Sequence, residues 1–149
     1  MTVYDMIRNS MSSTVPYAAH SGVVLDEIAP GRAKASLAQT KTSINHMGTQ
    51  HSAAMFTLAE TACGGAIAAT FAPVLLKLKA VTKTARIDYL TAGRGQIRAD
   101  ASLDDDCETL LATLTDEGRV DLAISVLLLD ETNCEVGKMT SEWRATIAK

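Results

Sequence analysis

Hydrophobic positions change period along the chain, and the changes mark its elements. Residues 3–11 carry Val3, Met6, Ile7 and Met11 at helical spacing, which predicts a short amphipathic helix. From Gly22 the pattern turns strand-like, with Val23, Val24, Leu25 and Ile28 followed by the turn residues Ala29, Pro30 and Gly31. Clean alternation follows: Ala33, Ala35 and Leu37 on one face, Arg32, Lys34 and Ser36 on the other. This predicts a hairpin with one buried face. Residues 52–71 are small and apolar almost throughout, which predicts a long helix buried on most sides. Inside it Gly64 and Gly65 each cost about 1 kcal/mol relative to Ala, and the pair signals close approach of another backbone.

After Pro73 the chain reads as strands. Residues 80–91 put Val81, Ala85, Ile87 and Tyr89 on one face, and residues 96–103 put Ile97, Ala99, Ala101 and Leu103 inward. Asp104, Asp105 and Asp106 form a solvated acidic turn. Residues 109–114 and 120–129 flank a turn at Asp116, Glu117 and Gly118, and Glu131, Thr132 and Asn133 close the next hairpin. The last strand alternates Gly137, Met139, Ser141, Trp143, Ala145 and Ile147 against polar neighbours. The order is two strands, one long apolar helix, then four or five antiparallel strands joined by hairpins. A sheet wrapped around the helix is the economical packing of such a chain, so the expected class is α+β.

Length and composition narrow the function classes. At 149 residues the chain fits a single domain over 1–149, with a helix and lead-in over 1–20 and the core over 21–149. A net charge of −3 argues against nucleic acid as a partner. Cys63, Cys107 and Cys134 are odd in number and lack CxxC spacing, so they predict reduced thiols in the cytoplasm and no metal site. MTVYDMIRNSM lacks the apolar core of a signal peptide. Residues 52–76 are long and apolar, but rich in Ala, Gly and Thr, interrupted at Pro73, and charged at Glu60. A carboxylate in mid-span costs about 2.5 kcal/mol or more, so the expectation is no membrane.

Glu60 is the one charge between Ser52 and Phe71. A lone carboxylate in an alanine-rich helix needs a partner or a task. It is either a structural acid satisfied by Thr57, Thr61 or a basic neighbour, or a group held for chemistry. The segment ahead of the helix, with Asn45, Gly48, Thr49, Gln50 and His51, is polar and turn-like. Its backbone leads into a helix start, where unpaired N–H groups meet the positive end of the dipole. Lys77, Lys79, Lys83, Arg86 and Arg94 make a basic stretch after the helix, either a solvated strand face or a seat for an anion.

With Asn45, Gly48, His51, Ser52, Ala53 and Glu60 in this order, the chain resembles the hot-dog fold acyl-CoA thioesterases, including the phenylacetate-pathway and human thioesterase-superfamily enzymes, and a branch with helices reading GTQHxAAxFxLAExAxG. The likeness in fold covers nearly everything beyond residue 20. It implies a hot-dog sheet around the helix and a thioester hydrolase working at a dimer interface, as a homodimer or homotetramer. Coenzyme A enters as part of the substrate, with no separate cofactor. It implies Glu60 as base or nucleophile, Asn45 orienting the carbonyl or water, the Ser52 amide, with that of Ala53, receiving the oxyanion, and Thr82 holding the attacking water. Gly48, His51, Ala53, Lys83 and Arg86 would bind substrate, the two cations at the coenzyme A phosphates. Two departures stand out: His51-Ser52-Ala53 replaces His-Gly-Gly, adding Cβ atoms over the helix start, and Glu replaces the commoner Asp. The first favours, as alternative, a non-catalytic acyl-CoA-binding or regulatory protein. A dehydratase, which pairs an acid with a His, fits less well, because the near histidine, His51, has an unsuitable spacing.

Overall fold

The hairpin and the long helix take shape where the pattern puts them. The computed structural model describes residues 1–148. Helix α1, Val3–Thr14, starts at Thr2, whose hydroxyl and Asp5 form a capping box. Pro16 opens a second short helix, α2, Pro16–Ser21. The hairpin β1, Val24–Ala29, and β2, Arg32–Leu37, pairs antiparallel about Pro30-Gly31. Helix α3, Ser52–Thr70, is apolar all round and buried along most of its length. Its length and mean hydropathy of 1.2 would let it cross a membrane, yet 67% of the apolar window is buried in the protein, as a core helix requires. A 3-10 turn, Ala72–Lys77, leads to β3, Leu78–Tyr89. Then come β4, Ile97–Leu103, helix α4, Cys107–Glu117, β5, Arg119–Leu129, and β6, Glu135–Ile147.

The six strands form one antiparallel sheet in the order β1-β2-β4-β5-β6-β3. It curls around α3, which packs on β1, β2, β4 and β5 and meets β3 at the far edge. Leu37, Leu58, Ile67, Phe71, Ile97, Ile124, Leu128 and Met139 fill the space between.

Four expectations change. Residues 109–114 belong to helix α4, not to a strand. Asp106, read as a solvated turn residue, accepts from the Thr109 N–H at 2.9 Å and caps this helix, while Gly118 at φ 78° ends it. Leu110 and Leu114 then bury on one side at helical spacing. Next, β3 does not form a hairpin with β4. It crosses to the far edge and pairs with β6 along the lengths of both, because these are the two longest strands and join in an extended ladder. Third, Val81 faces outward. A bulge between Thr82 and Thr84 shifts the period, so Ala80 and Thr82 face inward before it and Ala85 and Ile87 after it. Gly65, not the pair, is the point of close approach, and it meets side chains rather than backbone: a Cβ there would lie 2.8 Å from Leu25 Cδ1.

Candidate functional site

The polar loop ahead of α3 is tied by its own groups. Asn45 Nδ2 donates to Thr49 Oγ1 at 2.8 Å, and Asn45 Oδ1 accepts from the N–H groups of Met47 and Thr49. Gly48 takes φ 76°, a left-handed value that favours glycine, at the tip of this turn. The His51 N–H donates to the Ser43 carbonyl at 2.8 Å, and that of Gln50 to the Gly93 carbonyl at 2.8 Å. Asn45 therefore shapes the loop, with its carboxamide oxygen accepting two bonds and one of its two Nδ2 hydrogens given to Thr49.

His51 is the N-cap of α3, and its Nδ1 accepts from the Ala53 N–H at 2.9 Å. That amide is spent, so Ala53 is no oxyanion donor here. Among the described residues no acceptor meets the Ser52 N–H, which stays aligned with the helix dipole. The sequence reading missed the site role of Tyr89: its hydroxyl donates to the Ser52 carbonyl at 2.9 Å and pins the helix start. Burial pushes the Tyr89 phenol up, and the bond to Ser52 partly opposes this. Asn45, Gln50, His51, Ser52 and Tyr89 share the wall of a cavity of about 550 Å³.

Glu60 stands in a different cavity, of about 540 Å³, between α3, the N-terminal helices and β3. The partners offered from sequence do not serve it. Thr57 and Thr61 donate to carbonyls one turn back, those of Ala53 and Thr57. Thr82 instead donates to Glu60 Oε1 at 3.0 Å. It stands on the inward face of β3 with Leu78 and Ala80, ahead of the bulge. Eight helical residues separate Ser52 from Glu60, about 12 Å of rise. In one chain, then, the helix-start donor and the acid do not meet across one carbonyl.

Lys83 and Arg86 lie away from both cavities. Lys83 Nζ is 3.1 Å from Asp121, which also takes Arg144 at 2.8 Å, and Arg86 pairs with Asp88 at 3.2 Å. Both lie where β3 turns from the helix, on the outer sheet surface. Each already has a carboxylate, so the geometry of one chain does not make them a phosphate seat.

Residues 5–145 match the family described as a domain of unknown function, DUF4442. No curated protein matches the chain. Among solved structures, a Pseudomonas aeruginosa protein named a probable thioesterase is 20% identical, covers 97% of this chain and 95% of its own, and superposes with a TM-score of 0.82. The E. coli PaaI protein from the phenylacetic acid degradation operon is 17% identical, over 99% of this chain and 94% of its own, with a TM-score of 0.75. A thioesterase family protein from Silicibacter pomeroyi is 18% identical, over 99% and 100%, with a TM-score of 0.76. The likeness is one of fold, and the fold is the hot-dog fold expected from the sequence.

Proposed function

The chain belongs to the DUF4442 family of domains, and we propose that it is a thioester hydrolase acting on an acyl-CoA at a site built from two copies of the chain. Glu60 carries the reading: it is the one charged side chain of its cavity wall among the described residues, and Thr82 holds it by one oxygen. A half-buried acid with one oxygen spoken for and the other open is equipped to take a proton from water or to attack a carbonyl.

Two copies are needed because the donor and the acid stand about 12 Å apart along one helix, in separate cavities. β3 supplies the joint. It is a 12-residue edge strand, unpaired on one side, and Ala85 and Tyr89 are exposed on the face it turns towards the helix side. A second copy related by a twofold axis would cover that edge and set its loop against the first copy's Glu60.

The chemistry then follows. The substrate carbonyl oxygen lies at the Ser52 N–H of one copy, and Glu60 belongs to the other. Acting as base, Glu60 accepts a proton from water while the water oxygen bonds to the carbonyl carbon. The carbonyl electron pair moves onto oxygen, where the Ser52 N–H stabilises it; one such donor is worth roughly 10²–10³ in rate. Collapse breaks the C–S bond, and the proton passes to the coenzyme A sulfur. Acting as nucleophile, Glu60 attacks the carbonyl carbon, the C–S bond breaks and the thiol leaves, and water then cleaves the mixed anhydride; a single turnover in heavy-oxygen water labels the Glu60 carboxylate when water attacks the Glu60 carbonyl. Thiol release from a panel of acyl-CoAs tests the function. Wild type should exceed background, and Glu60→Gln should fold normally and lose turnover; equal rates in the two would remove Glu60 from the mechanism.

A second reading, an acyl-CoA-binding protein that does not cleave, is favoured by one observation. His51 has captured the Ala53 amide, the second donor of the helix start. Tight binding without thiol release would select it.

A further inference from the structure

The cavity around Glu60 has a shape and a lining that bear on the acyl group. Glu60, Gly64 and Ala68 stand one turn apart on one face of α3 and form a floor of small residues behind the acid. Met11 and Val15 of the N-terminal region, Leu25 of β1 and Leu78 of β3 give the walls. Trp143 also faces the cavity, and its indole N–H is already donated to Ser141 Oγ at 2.9 Å, so the ring offers only apolar surface. Thr57 and Thr61, the hydroxyls beside Glu60, are spent on their own helix. Beyond the acid the α3 floor and the strand walls of the trough are therefore apolar, and the lining follows α3 from Thr57 to Ala68.

Resting on the thioesterase reading above, we propose that the acyl part of the substrate is an unbranched aliphatic chain of medium length, lying along the Glu60-Gly64-Ala68 face beneath the N-terminal helices. The distance from Glu60 to Ala68 is about 12 Å of helix rise. A zigzag chain of C–C bonds near 1.5 Å advances roughly 1.3 Å per bond, so about nine or ten carbons span the trough. The cavity of 540 Å³ has room for about eighteen water-sized groups at some 30 Å³ each, which sets an upper limit. Gly64 is the gate to the far half. A Cβ built on it would meet only Met11 Cε, at 3.7 Å, so its missing side chain is open space belonging to the trough and not space needed by the core.

The experiment measures thiol release from straight-chain acyl-CoAs of two to sixteen carbons and from phenylacetyl-CoA, with wild type, Gly64→Leu and Met11→Ala. Each buried methylene is worth up to about fourfold. We expect kcat/KM to rise at least tenfold from butyryl- to decanoyl-CoA and to fall beyond fourteen carbons, with phenylacetyl-CoA no better than butyryl-CoA. Gly64→Leu should lower the decanoyl-to-butyryl ratio tenfold or more, and Met11→Ala, which widens the trough from the opposite wall, should move the optimum to longer chains. A flat profile, an aromatic preference, or a ratio unmoved by both variants overturns the proposal while leaving the thioesterase reading intact. Calorimetric binding of decanoyl- and butyryl-CoA to Glu60→Gln separates the other case. Absent thiol release with decanoyl-CoA bound more tightly, an advantage removed by Gly64→Leu, supports the trough and sinks catalysis. Absence of both sinks both.

Discussion

Adjacent glycines in α3 should respond to alanine with opposite signs. Each Gly→Ala change gains about 1 kcal/mol in helix propensity. At Gly64 the new Cβ meets one atom, Met11 Cε, at the ordinary distance of 3.7 Å, so the gain is kept. At Gly65 it would lie 2.8 Å and 3.1 Å from the two Leu25 methyls and 3.0 Å from Ile28 Cγ2. Leu25 is a core residue, and the Ile28 methyl sits on a stiff β-branched side chain. Overpacking of this kind costs about 1–3 kcal/mol. The net for Gly65→Ala is thus between about neutral and 2 kcal/mol destabilising, and the two variants differ by about 1–3 kcal/mol. Thermal unfolding reads this directly: Gly64→Ala should raise Tm by about 2–4 °C and Gly65→Ala should lower it or leave it unchanged. Equal increases in the two would refute the close packing of β1 on α3 at Gly65.

Thr82→Val removes the bond held by Glu60 and leaves the shape; a bond to a charged group is worth about 1.5–3 kcal/mol, so kcat should fall roughly 10- to 100-fold with little change in Tm. Arg144, then Lys83, by hydrogen bonds, hold the exposed Asp121 carboxyl well below the usual carboxylate range. A lowered folded pKa stabilises above the unfolded value of about 3.9 and is lost as pH falls below it. The Tm deficit of Asp121→Asn should therefore be full at neutral pH and close as the solution is acidified past pH 4; a deficit constant down to pH 2 contradicts the assignment. Burial pushes the Cys63 thiol up to about 12, so a disulfide reagent should find Cys134, which is exposed, first and Cys63 only after unfolding.

The long helix and the strands with one buried face were legible because their periods are set by burial on one side. Alternation in β2 matches the buried positions, and in β6 it does so from Gly137 to Ala145. Helix α4 was missed although its signals are local: Asp106 as cap, Leu110, Leu111 and Leu114 at helical spacing, Gly118 as stop. The run of three aspartates looked like a turn and hid the cap. The direction of Val81 was misjudged because a bulge is a feature of pairing, and the partner strand β6 is nearly 60 residues away in sequence. Thr82, expected to hold the attacking water, holds Glu60 instead in one chain. Ala53 shows the reverse: a bond to the His51 ring that closes within the helix start occupies its N–H. The N-terminal helices left no chemical trace in the sequence, and they wall the cavity because they close the open side of the curled sheet against α3.

The claim that matters most is that the acid and the oxyanion donor come from different copies. Glu60→Gln removes the acid, and Ser52→Pro removes the amide at the first helical position, where proline is tolerated. Each variant alone should be inactive in thiol release. Unfolded together and refolded, they should form mixed dimers at half the population, each with one site carrying neither change. Activity should return to about a quarter of wild type. A mixture as inactive as its parents would place both groups in one chain and contradict the account.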